Sequence, residues 1–112
     1  MQHLTNVSPQ QWAQANFGAV QLGNKARTAR AGRVAAAMLA NPAASLPQQL
    51  ARRADLVAAY RLPAQVDVTH AVLVAQHTAN TREAAAKLPS VLLVGDTTFF
   101  DFSHHPATTG LG

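Results

Sequence analysis

No cysteine occurs in the 112 residues, so a disulfide frame and thiolate metal sites are excluded at the outset. Aromatic residues are scarce at 5%, and alanine dominates the apolar share, so any core is built from small side chains. No apolar run approaches the roughly 18 residues of a membrane span, and the first residues lack a signal-peptide pattern. The cytoplasm is therefore the default location, and no membrane partner is expected. The most informative shortage is of acid. Through Arg61 the chain carries Lys25, Arg27, Arg30, Arg33, Arg52, Arg53 and Arg61 against Asp55 alone. Beyond Arg61 the balance reverses, with Asp67, Glu83, Asp96 and Asp101 against Arg82 and Lys87. The net charge of +4 is thus concentrated in the front half, as in a polyanion binder. The length suits one domain, or one domain and a fragment of a second.

What is present reads mostly as helix. Ser8-Pro9 opens a first helix to about Asn16, with Ser8 as N-cap and Pro9 at the first helical position. Its inward residues would be Trp12, Ala13 and Ala15 or Phe17, with Trp12 as a core anchor. Gly23 supplies an unusual dihedral before the next helix, and Asn24 caps a helix from Lys25 to about Ala40, ended by Asn41-Pro42. At about 100° per residue, Ala31, Val34, Ala35, Met38 and Leu39 share an apolar arc. Arg27 lies in line with Val34 and Met38, while Arg30 and Arg33 step away from it. Basic side chains at a helix N-terminus oppose the helix dipole, and a phosphate partner would offset that cost. The competing reading is a solvated arginine face.

Gln48 to Leu62 reads as helix, with a break near Arg52-Arg53, and offers Leu50, Ala54, Val57, Ala58 and Tyr60-Arg61 for packing. Thr69 caps a last helix from His70 to about Asn80, which Thr81–Lys87 either continues or follows as a short helix. His70 and His77 share one helix face, but zinc needs three or four ligands. They read as surface or packing histidines, as do His104 and His105.

Val91-Leu92-Leu93-Val94 reads instead as a strand buried on both faces, ending near Asp96. Ligands of open α/β sheets gather at such strand ends. A Walker B role for Asp96 requires a phosphate loop, and none occurs. A phosphoacceptor role requires a βαβ series from the start, which is also missing. A metal-binding carboxylate on the first strand of a nuclease-like domain remains, beside a solvated Asp starting a turn after Gly95. The strand has no evident partner, since Asp-Thr-Thr before Phe99-Phe100-Asp101-Phe102 makes a poor hairpin turn. The chain reads as cut inside a sheet domain.

The order of motifs resembles the N-terminal part of bacterial cut-and-paste transposases of the insertion-sequence-four type, which begin with a transposase DNA-binding domain. The carriers are Trp12-Ala13 with Phe17-Gly18, then Leu22-Gly23-Asn24-Lys25-Ala26-Arg27-Thr28-Ala29-Arg30. Pro42, Ser45-Leu46-Pro47, Ala59-Tyr60-Arg61, Val68, His77 and Thr81-x-Glu83 follow. Leu93-Val94-Gly95-Asp96-Thr97-Thr98, Phe102-Ser103 and Gly110-Leu111-Gly112 complete the series. The resemblance implies a mainly α fold: a small multi-helix domain at 1–88 that binds double-stranded DNA at transposon ends. It would be followed at 89–112 by the first strand of an incomplete ribonuclease-H-like α/β domain. DNA contacts would fall on Lys25, Arg27, Thr28 and Arg30, and Arg33, three residues on along the same arginine series, is a further candidate contact. Asp96 would be the first carboxylate of an Asp-Asp-Glu triad that holds two magnesium or manganese ions in the full-length enzyme. With that one carboxylate, the chain alone is expected to be inactive and without a cofactor. A transposase homodimer and a nucleoid-associated place in the bacterial cytoplasm are further implications.

Three departures from the family pattern stand out. Asn24 replaces its usual acid, Ala26 replaces one arginine of a pair, and Leu62-Pro63-Ala64 replaces an aromatic followed by an Asn. The missing arginine predicts weaker end binding. Two readings follow: the front of a transposase, or a stand-alone regulator that occupies transposon ends and blocks transposition. A small RNA-binding protein fits less well, because no pattern of stacking aromatics is present.

Overall fold

The computed structural model describes residues 7–111. Five helices form in the order α1 (Pro9–Phe17), α2 (Lys25–Ala40), α3 (Leu46–Gln49), α4 (Arg53–Arg61) and α5 (His70–Ala86), with a 3-10 turn at Leu62–Ala64 between the last two. The mainly α reading therefore holds. No described helix is long and apolar enough to cross a membrane.

Each helix start follows from local chemistry. Ser8 Oγ accepts the Gln11 amide at 3.1 Å, and Gln11 Oε1 accepts the Ser8 amide at 3.0 Å, a reciprocal capping box. Asn24 Oδ1 accepts the Arg27 amide at 2.9 Å, and Thr69 Oγ1 accepts that of Val72 at 3.2 Å. Between α1 and α2 the chain reverses at Gly23, whose φ of +98° is in the region that favours glycine. A Cβ there would also lie 2.8 Å from Arg27 Nη1. The break expected near Arg52 is real: α3 ends at Gln49, Leu50 is buried, and α4 begins at Arg53. Thr81 to Ala86 continue α5 without interruption.

The core is small, as the composition requires. Val20, Leu22, Ala31 and Val68 are buried together, with Phe17, Leu62, Val72 and Leu73 packed around them. Trp12 does not enter this cluster; it is half-buried and meets Phe17 edge-on, with ring centroids 5.9 Å apart. Two helical faces differ from expectation. On α2, Ala31 and Ala36 are buried while Met38 and Leu39 are exposed, because α1 and the linker at Leu50 lie along the side that carries Ala36. On α1, Ala13 and Asn16 are buried and Ala15 is not. Along the third stretch Leu50 is buried, Val57 and Ala58 are half-buried, and Ala54, Tyr60 and Arg61 are exposed.

The middle of α5 is joined to α1 through polar groups. Ala15 O accepts from Gln76 Nε2 and Asn80 Nδ2, both at 2.7 Å, and Gln76 Oε1 accepts the Ala19 amide at 2.8 Å. Side-chain amides thus serve backbone groups that the end of α1 leaves without helical partners. Asn16 Nδ2 donates to Trp12 O at 2.9 Å, which makes Asn16 Oδ1 the acceptor. His77 Nδ1, 2.7 Å from that oxygen, is therefore the donor. This satisfies the packing reading of His77.

The strand expected at 91–94 is not formed in this structure. Among the described residues no strand occurs, and Leu92, Leu93 and Val94 are 91%, 98% and 88% exposed. An extended apolar segment is stable as a strand only when a neighbour takes its N–H and C=O groups, and no described segment offers a partner. The Cα radius of gyration, 16.3 Å, exceeds the roughly 13 Å of a compact domain of this length, as an outlying tail requires. Of the tail's motif residues, Gly112 lies outside the described residues.

Leu22→Ala should lower the unfolding free energy by about 3 kcal/mol, read from the urea midpoint, because it empties the centre of the core. Leu93→Ala should change it by less than about 0.5 kcal/mol. In hydrogen exchange, amides of α1, α2 and α5 should be protected while those of 91–111 exchange at once. Equal protection of the tail in a monomer would mean that it packs.

Candidate nucleic-acid interface

The five residues that the sequence assigns to DNA contact do not share one surface. Arg27 reaches inward from the first turn of α2 and ties three segments together. It donates to Leu22 O at 3.2 Å and to Gln65 Oε1 at 3.0 Å, and it lies 3.8 Å from Asp67 Oδ2. Thr28 donates to Val20 O at 2.6 Å, holding the turn from the other side. Arg30 pairs with Asp55 of α4 at 2.6 Å, with only 30% and 20% of the two side chains exposed. Lys25 and Arg33 are exposed on another side of α2.

Two grooves flank α2. The larger, about 1310 Å³, lies between α1, the Val20–Asn24 turn, α2 and the Leu50 linker. Lys25, Arg33 and Arg52 line it together with Asp55, over a floor of alanines. The smaller, about 840 Å³, runs between α2 and α4 and is lined by Arg27, Arg30, Arg53 and Arg61. Among the described residues no acidic side chain lines this second groove; Asp55 and Asp67 meet Arg30 and Arg27 from outside its lining. Two of these four guanidiniums, Arg27 and Arg30, are met by carboxylates, which leaves Arg53 and Arg61 as the cations open to an anion, and guanidinium forks match phosphate oxygens. The two unpaired guanidiniums beside α2, not the volume, make the smaller groove the candidate interface. Arg53 and Arg61 were not singled out as contacts by sequence. Their eight-residue spacing on one helix was the available signal, but which face of α4 turns to α2 was not legible.

Asp96 stands elsewhere, in the exposed tail, where its Oδ1 accepts the next amide, Thr97 N, at 2.7 Å. Among the described residues no group of three His, Asp or Glu side chains is placed to hold a metal ion. One carboxylate leaves a magnesium ion mostly hydrated, so these residues by themselves do not fit a resident divalent ion. Farther along, the Ser103 hydroxyl and amide donate to Asp101 and hold its carboxyl below the usual carboxylate range.

A family model described as transposase DNA-binding matches residues 9–68, from the first residue of α1 to the buried Val68. Comparisons with curated proteins and with solved structures gave no match.

The Arg30–Asp55 pair should show a coupling of about 1 kcal/mol in a double-mutant cycle of Arg30→Ala and Asp55→Ala, because both partners are half-buried. The same cycle on Glu83 and Lys87, which pair at 3.2 Å on the open face of α5, should give no measurable coupling. Equal couplings would show that the α2–α4 pair is as solvated as the surface one.

Proposed function

The chain belongs to the transposase DNA-binding family, and we propose that it holds transposon-end DNA with the N-terminal half of α2 and the arginine-lined groove beside it. The observation that carries this reading is the groove between α2 and α4, where Arg53 and Arg61 join Arg27 and Arg30. Lys25 and Arg33 make the other flank of α2 basic as well. A helix with basic side chains on both flanks suits a major groove about 12 Å wide, whose two walls are phosphate backbones. In this arrangement Lys25 and Arg33 meet one backbone and the four arginines meet the other. Thr28 and Arg27 have a second task, since they also hold the turn that aims α2.

Residues 1–88 then act as the end-binding domain of a cut-and-paste transposase of the insertion-sequence-four type. Residues 89–112 are read as the start of its ribonuclease-H-like catalytic domain. Asp96 would supply one carboxylate of an Asp-Asp-Glu set there, with magnesium or manganese supplying charge stabilisation for strand cleavage. Both need further strands and carboxylates besides those described. A homodimer would bring two transposon ends together. The second reading, a regulator that occupies ends without cutting them, is favoured by the same groove, because occupancy requires the helical part alone.

Arg53→Ala/Arg61→Ala should reduce the magnitude of the log K against log salt slope by about 1.8, at roughly 0.9 per phosphate. Arg27→Ala/Arg30→Ala should reduce the slope too, but should also lower the melting temperature, because both side chains have internal partners. DNA binding should survive removal of divalent ions by a chelator. An unchanged slope in the Arg53/Arg61 variant, with binding intact, would take the DNA off this groove.

A further inference from the structure

We infer that Tyr60 is an affinity-determining residue of the same DNA site, one whose aromatic ring makes a contact that salt does not screen. The inference rests on the DNA reading above and adds a non-ionic component to it. Tyr60 is the chain's only tyrosine. It stands on α4 with 61% of its surface exposed, whereas the other aromatics of the helical part, Trp12 and Phe17, are half-buried and pack on each other. Nothing in the fold of the described residues uses its hydroxyl: no hydrogen bond to it is formed. Burial therefore does not explain the ring.

Its place on the helix does offer a reason. Tyr60 follows Arg53 by seven residues and precedes Arg61 by one. At about 100° per residue, it projects within about 20° of Arg53, two turns along the same side. Arg53, Val57 and Arg61 line the groove and Tyr60 does not, so its direction beside Arg53 places it at the groove's edge; among the described residues neither Arg53 nor Arg61 has an acidic partner. A phosphate backbone drawn onto Arg53 and Arg61 brings its deoxyriboses, and the base edges beside them, against the phenol ring. Such a contact is apolar. It releases no counterion, so it adds to the binding constant without adding to its salt dependence. The ring, not the hydroxyl, carries the effect.

The test measures binding of a short fluorescein-labelled mixed-sequence DNA duplex to the full chain over a salt series. Wild type, Tyr60→Ala, Tyr60→Phe and Arg53→Ala/Arg61→Ala are compared, with melting curves confirming that each is folded. Tyr60→Ala should weaken binding by about ten-fold at every salt concentration and leave the slope unchanged, since an aromatic contact to a base is typically of that order. Tyr60→Phe should bind like wild type. In protein made with 3-fluorotyrosine, the single fluorine resonance should shift when duplex is added. Tyr60→Ala binding like wild type, while the arginine double variant loses slope, would overturn the role of Tyr60 and leave the groove standing. Tyr60→Phe losing as much as Tyr60→Ala would overturn the role of the ring. Absence of duplex binding by the folded wild type would overturn the DNA reading and this inference with it.

Discussion

Leu22 is buried at the centre of the helical part while its own carbonyl oxygen is held by Arg27, and both depend on the backbone reversal at Gly23. The reversal places the start of α2 directly after the deepest residue of the core. Thr28 fastens the same turn through Val20 O, and Arg27 extends the fastening to Gln65 beyond α4. In a core made of alanine, valine and leucine, dispersion contacts are few, so hydrogen bonds to loop carbonyls do much of the aligning. A bulkier core could fix α2 by shape alone. This one fixes it by a turn and two side chains, Arg27 and Thr28, on the helix proposed to meet DNA.

Much of this was legible before any coordinates. Capping residues announce themselves by type and position, so Ser8, Asn24 and Thr69 marked three helix starts that the structure has. Gly23 was legible because few other residues tolerate its dihedral. The faces of α2 and α4 were harder to read. When nearly every position of a helix is Ala, Arg or Gly, the periodicity is shallow, and the buried side depends on where neighbouring helices arrive. Hence Met38 and Leu39 turned out exposed and Ala36 buried. The site was split by the same cause: Arg27 and Arg30 look alike in sequence to Lys25 and Arg33, yet face other partners. Asn16 was missed because a buried amide has no sequence signature apart from its partners, and His77 lies far along the chain. The apolar run at 91–94 illustrates a further limit. Its residue types favour a strand, but a strand is a relation between two segments.

The distribution of charge follows a simple division. Of the acidic residues in the helical part, Asp55 and Asp67 meet arginines that also brace the fold, while Arg53 and Arg61 have no such partner among the described residues. Partial neutralisation keeps the helical part from repelling itself apart and still leaves a positive surface for an anion. Placing both tasks on one face couples them. A substitution that strengthens the ion pairs would make the groove more rigid and less attractive to phosphate, and one that removes the acids would do the reverse.

The joint between α1 and the middle of α5 has a thermodynamic character of its own. Amide groups of Gln76 and Asn80, and the His77–Asn16 pair, make up its polar contacts. Exposing apolar surface raises the heat capacity on opening, while exposing polar surface lowers it. Opening this joint would therefore raise the heat capacity less for the same area than opening the core, and its free energy would curve less with temperature. The cluster around Leu22 obeys the opposite rule, with a curved dependence that weakens on cooling. Two parts of one small protein thus differ in their response to cold, the apolar cluster weakening on cooling more than the polar joint.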